Sequence, residues 1–218
     1  MKRAFIPLLV VAAAMFAYAP IFIANAPYES TMLLIQKVMY FHAPAGMVML
    51  MSGLVAGIAS GIFLWKKTRA ADHVALSAAE LTAVYGAIVL ATGPLWARKA
   101  WGVWWQWDAR LTMSFVGWLI ALAYLVLRKY GGPGSEKLSA GLALFGAANV
   151  PFIYMSVNIW RTIHPQTTVA ATLPPSMAGP FWFCVAAFLL FYTVLMTARV
   201  RLERQRASLD DLYLAAED

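Results

Sequence analysis

Charge is scarce in this chain. Of 218 residues, 12% are Asp, Glu, Lys or Arg, against about 25% in an ordinary soluble domain. Cysteine is scarcer still, with Cys184 alone, which excludes a disulfide scaffold. No G-x-x-x-x-G-K-[ST] occurs, so any ATP hydrolysis belongs to another chain. No C-x-x-C-H occurs either, so the chain carries no covalently attached haem of the c type. What is abundant is apolar: 62% of the residues are hydrophobic and the mean hydropathy is +0.68. Too little polar surface remains to coat a water-facing globule, which excludes a disordered chain and a typical cytosolic enzyme. The net charge is +7 and the isoelectric point about 9.7. That basic excess has to be placed relative to a membrane before any nucleic-acid reading is entertained.

A membrane-spanning helix needs about 20 mostly apolar residues. A window of that length finds six, near Ala4–Ile23, Pro44–Trp65, Ala79–Leu95, Leu111–Leu127, Ala140–Ile159 and Gly179–Thr197. None of the six cores contains Lys or Arg. In hydrocarbon the backbone must satisfy its own hydrogen bonds, so these segments are helices. The expected fold is an all-α, single membrane domain over residues 1–218, a six-transmembrane-helix bundle. Residues 198–218 read as a short solvated tail. With both termini cytoplasmic, twelve basic residues fall on inner segments and five on outer ones, in keeping with the positive-inside rule. Ala24-Asn25-Ala26 resembles a signal-peptidase site, but the preceding apolar run is longer than the usual 7–15 residues, and a retained first helix is expected.

The three outer segments, about 24–43, 96–110 and 160–178, are unlike the rest. Five of the nine tryptophans lie within residues 96–107: Trp96, Trp101, Trp104, Trp105 and Trp107. An interfacial belt spreads one or two rings per helix end. Five on one loop between helices three and four read instead as an aromatic platform. Two of the three histidines flank it: His42 beside Pro44, where helix two is expected to open, and His164 just after helix five. His73 reads as a solvated inner-loop residue. Zinc is poorly supplied, because outer cysteine is absent and Glu29 and Asp108 are the only outer carboxylates. Haem fits better: His42 and His164 can supply axial ligands, the tryptophans a face, and Arg98, Lys99, Arg110 and Arg161 cations for the propionates.

The run Trp101-Gly102-x-Trp104-Trp105-x-Trp107-Asp108-x-Arg110-Leu111-Thr112 resembles the tryptophan-rich signature of the WWD-domain haem-handling family of cytochrome c maturation. Tyr40-Phe41-His42-x-Pro44 and Ser156-Val157-Asn158-x-Trp160-Arg161-Thr162-x-His164 are similar to the two histidine motifs of its CcmC branch, the haem exporter C group of system I. Six helices in a chain of this length match that branch almost end to end. The resemblance implies non-covalent, transient haem b held at the periplasmic face of the bacterial inner membrane, with His42 and His164 as axial ligands to the iron. Trp101, Gly102, Trp104, Trp105, Trp107 and Asp108 would form the platform, with Arg110 and Arg161 beside it. It further implies presentation of haem to the chaperone CcmE, with the small membrane protein CcmD and a CcmA/CcmB ABC-type unit as partners, and no enzymatic role. The pair Arg98-Lys99 is a local peculiarity.

The rival readings are a quinol–haem oxidoreductase and a transporter that itself moves haem across the bilayer. The helix cores carry no histidine for a second haem and no polar track for a conduit. Gly53, Gly57 and Gly61 make a small-residue face suited to helix packing. Asn149, Pro151 and Asn158 promise a kink and buried amides in helix five. Asp108 can orient a tryptophan N–H or cap helix four. Cys184 and the eleven methionines read as packing.

Overall fold

The computed structural model describes residues 2–217. Met1 and Asp218, which end the assigned membrane domain, and the side chains of Lys2 and Arg3, counted among the inner basic residues, lie outside the described residues, as do those of Val169 and Glu217. Six α-helices follow one another: α1 Lys2–Ala24, α2 Met39–Lys66, α3 Arg69–Trp101, α4 Ala109–Tyr130, α5 Ser135–Ile159 and α6 Pro175–Glu217. All six are long and apolar enough to cross a membrane. Short 3₁₀ helices, Leu34–Val38 and Val169–Ala171, lie in the connections at one end of the bundle, called the outer end below.

α2 is the central helix, packed on α3 and α5, while α4 closes against α5 and α3 and α6 against α1 and α3. Close approach comes from small residues, as expected where hydrocarbon offers no hydrophobic drive between helices. A Cβ built on Gly57 would stand 2.2 Å from Ala147 Cβ, so α2 and α5 touch backbone to backbone there. The small-residue face of α2 is therefore an internal seam. Prolines gather toward the outer halves: Pro20, Pro44, Pro94, Pro151 and Pro180 each sit inside a helix. Each removes a ladder hydrogen bond and lets its helix bend.

Several helix boundaries differ from the sequence reading: polar turns that do not register as hydropathy extend α3 and α6, whereas α2 starts ahead of the proline expected to open it. α2 begins at Met39 and is entered directly from the 3₁₀ helix, so Pro44 lies inside it and His42 is helical. α3 starts at Arg69 and ends at Trp101, so His73 belongs to a half-buried helical turn and not to a solvated loop. Trp96, Arg98 and Lys99 likewise stand on a helix.

α6 runs on as helix to Glu217 where a short solvated tail was expected. Its extension is fastened to α3 by Arg199, which binds Glu80 and Glu203 at 2.7 and 2.9 Å. Glu203 is only 6% exposed, and Arg69 pairs with Asp211 at 2.7 Å. Asp72 and Arg128 form a second, bidentate tie between α3 and α4, at 2.7 and 2.9 Å.

Candidate functional site

His42 lies in the first turn of α2 and is buried. Its Nδ1 is 2.8 Å from Thr92 Oγ1 on α3. The ring of Trp96, one helical turn further along α3, meets the imidazole edge-on at 5.9 Å between centroids. Gly93 sits between them, where an added Cβ would fall 3.2 Å from His42 Cε1. His164 stands half-buried in the loop after α5. Its Nδ1 is 2.9 Å from Pro165 O. A carbonyl only accepts, so the imidazole donates there, which leaves Nε2 with its lone pair. Burial and the nearby Arg110 guanidinium hold His164 down at about 4, so it is neutral at ordinary pH. His42 and His164 lie within electrostatic reach of one another, and Arg110 reaches both.

The loop bearing His164 is tied to the tryptophan segment by Asp108. One carboxylate oxygen accepts from Leu111 N at 2.8 Å and caps α4. The other accepts from the Thr162 hydroxyl and from Ile163 N, the latter at 3.2 Å. Thr162 Oγ1 in turn accepts from His164 N at 3.1 Å. Asp108 thus joins the start of α4 to the two residues that precede the second histidine. Asn158 performs a similar service further out, its amide donating to Thr167 Oγ1 at 3.1 Å. Arg110 bridges from α4 to α5, donating to Ile153 O at 2.5 Å and Tyr154 O at 3.3 Å. A guanidinium has five N–H donors, so this anchorage still leaves it capacity toward an anion. Arg161 is exposed. Arg98 donates to Gly102 O, closing the end of α3 where Gly102 takes a left-handed φ of 77°.

The five tryptophans do not form a single sheet of rings. Trp96, 4% exposed, pairs with Trp101 at 5.6 Å beside His42. Trp105 and Trp107 meet at 5.6 Å and both touch Phe115, which stacks on Trp118 of α4. Trp104 and Trp107 present their rings outward at 57% and 72% exposure. The division follows the helix boundary: Trp96 and Trp101 are set by α3, whereas the remaining three follow the turn at Gly102.

This arrangement suits a macrocyclic iron complex. Two imidazoles come from separate elements, aromatic walls surround one of them, and the indole N–H groups of Trp96 and Trp105 are buried without a protein acceptor. A small-ion metal centre is not supplied: among the described residues no three His, Cys, Asp or Glu side chains converge. Both outer carboxylates serve the backbone. Glu29 accepts from the Thr31 hydroxyl at 2.6 Å and from Met32 N at 2.6 Å. These bonds lower it to about 2 and pin the turn that leads into α2. Thr92 and Gly93 were not singled out from sequence, and Thr162 appeared there only as a position of the second histidine motif. Thr92-Gly93-Pro94, a hydroxyl followed by two helix-weakening residues near the outer end of an apolar helix, is the signal that could have found the first two.

The family model described as heme exporter protein C matches residues 1–212. The heme exporter protein C of Bradyrhizobium diazoefficiens is 33% identical over 185 residues, which cover 82% of this chain and 70% of that one. Its namesake in Escherichia coli K12 is 32% identical over 191 residues, or 82% and 76% of the two chains. That of Paracoccus denitrificans is 30% identical over 189 residues, or 84% and 78%.

Proposed function

This chain belongs to the heme exporter protein C family, and from that premise we propose that it holds haem b at the outer end of the bundle between His42 and His164. In this reading the outer end is the periplasmic face of a bacterial inner membrane, and the cargo is presented there to the chaperone CcmE. The observation that carries the reading is the pair of imidazoles, one buried on α2 and one half-buried after α5, in electrostatic reach of each other and of Arg110. Iron takes neutral imidazole, the form in which burial keeps His164. Two side-chain ligands without a covalent link suit a carrier that must give up its cargo.

The other residues have distinct parts. Trp96 and Trp101 wall the His42 side, while Trp104, Trp105 and Trp107 supply aromatic faces to the rim across which haem is handed over. Arg110 offers positive charge to a propionate, and the exposed Arg161 stands where it can do the same. Asp108 acts by holding the His164 loop, and Gly102 by turning the chain out of α3. Handover is an exchange of ligands, and no bond-making step is assigned to this chain. The half-open cavity between α2, α3, α4 and α5, lined by Met49, Gly53, Gly117 and Val150 among others, is about 40 Å³. That is room on the scale of a water molecule and far below a macrocycle. CcmD and a CcmA/CcmB unit complete the proposed assembly, with ATP hydrolysis left to the latter because this chain has no phosphate-binding loop.

The test is spectroscopic. Protein purified in detergent should carry b-type haem, or take it up, with a six-coordinate spectrum. His42→Ala and His164→Ala should each alter that spectrum. A colourless protein that cannot be loaded with ferric haem refutes the reading.

A further inference from the structure

We propose that Thr92 and Gly93 of α3 are positioning residues that preset His42 as a ligand, fixing which ring nitrogen is free and where it points. The proposal rests on the haem-holding reading above and adds to it residues outside both the histidine and the tryptophan motifs.

The argument starts from the Thr92 hydroxyl. It donates its single proton to Ile88 O, one turn back on α3, at 2.7 Å. Its contact with His42 Nδ1 at 2.8 Å must then be a bond in which the imidazole donates. That selects the Nδ1–H tautomer and leaves the lone pair on Nε2. His164 reaches the same state by donating from Nδ1 to the Pro165 carbonyl. Both imidazoles thereby offer Nε2. Ligating histidines are commonly oriented in this way by an acceptor on the other nitrogen, which also raises the basicity of the ligand.

Gly93 sets the ring position. A Cβ there would lie 3.2 Å from His42 Cε1, the carbon between the two nitrogens, and 4.0 Å from Nδ1. The bare backbone of α3 is what allows the imidazole to approach Thr92 closely. Trp96, four residues beyond Thr92, stands on the same helical face and meets the ring edge-on. One turn of α3 therefore supplies an acceptor, a clearance and a wall.

The closing experiment compares wild-type protein with Thr92→Val, Thr92→Ser and Gly93→Ala, all full-length and in detergent. Nitrogen-15 NMR of the haem-free protein reads the tautomer directly, with Nδ1 protonated in the wild type. Titration with ferric haem reads affinity, and the optical spectrum and midpoint potential read the strength of the axial field. Thr92→Val should weaken haem binding about tenfold, the lower end of what loss of such a partner costs, and raise the midpoint potential. Gly93→Ala should also weaken binding, by displacing the ring. Thr92→Ser, which keeps the oxygen, should recover the wild-type tautomer and spectrum. A wild-type His42 protonated on Nε2 without haem overturns the proposal, whatever haem does. So does a Thr92→Val protein with unchanged affinity, spectrum and potential, or a Thr92→Ser protein as impaired as Thr92→Val. If His42→Ala leaves haem binding untouched, it is the functional reading that fails.

Discussion

Replacing Asp108 by serine separates two jobs that one carboxylate performs. Serine is as good an N-cap as aspartate, so the bond from Leu111 N that starts α4 survives. Its shorter side chain cannot reach the Thr162 hydroxyl or Ile163 N, so both ties to the His164 loop are lost. Hydrogen bonds to an ionised acceptor are each worth about 1.5–3 kcal/mol when well buried. These are partly buried, so about 1 kcal/mol each is the better figure, or roughly 2 kcal/mol for the pair. At about 1.4 kcal/mol per tenfold, the ratio of docked to undocked loop falls by roughly 25-fold. Apparent haem affinity falls with the competent fraction, so the expected loss is several-fold, with a ceiling of about 25-fold.

The assay is ferric-haem titration of detergent-purified protein, alongside thermal unfolding. Asp108→Ser should shift the spectrum toward that of His164→Ala while the unfolding temperature stays near the wild type. Asp108→Ala, which also loses the cap, should lose about 1 kcal/mol more stability. Thr162→Val breaks one of the same ties, so the double variant Asp108→Ser/Thr162→Val should lose less than the sum of the two singles. Wild-type affinity and spectrum in Asp108→Ser, or strict additivity in the double variant, would refute the reasoning.

Two further outcomes follow from named contacts. An exposed histidine gains its proton near pH 6.5, but burial and Arg110 hold His164 at about 4. Its folded pKa lies below the unfolded one, so its contribution to stability is full above about pH 6.5 and is lost as the pH falls through about 4. Haem uptake by the apoprotein should accordingly stay level from pH 8 down to about 5 and collapse toward 4, and a midpoint near 6.5 would contradict that account. Gly57→Ala forces a Cβ to within 2.2 Å of Ala147 and should cost about 1–3 kcal/mol in thermal unfolding. Gly141→Ala, with nothing within 4 Å, is the control and should be close to neutral.

The transmembrane plan was readable because hydropathy is a sum over neighbouring residues and needs no knowledge of packing. The same local character explains where it fell short. Polar turns extend helices beyond the hydrocarbon, so α3 starts at Arg69, and the arginine-rich stretch after Thr197 continues as α6. The candidate site was proposed from sequence as a residue inventory, with His42, His164 and the tryptophan run on one side of the plan. Its internal arrangement was not legible there, since the rings divide between the end of α3 and the turn after Gly102. For Asp108 the sequence allows two roles; the fold gives it the cap and adds a tie to the second histidine loop.

By itself the sequence determined six membrane-crossing helices, a biased distribution of basic residues and an outer face carrying two histidines among tryptophans. Its motifs were enough to assign the family. Tertiary structure alone decided that Thr92 meets His42 across 50 residues of chain and Thr162 meets Asp108 across 54. It alone decided that Gly93 leaves clear the space against which the His42 imidazole packs. The physical reason is range: hydropathy and charge act over whole segments and can be summed along a chain. A hydrogen bond or a missing Cβ matters only at 3–4 Å, a distance that exists only once the helices have packed.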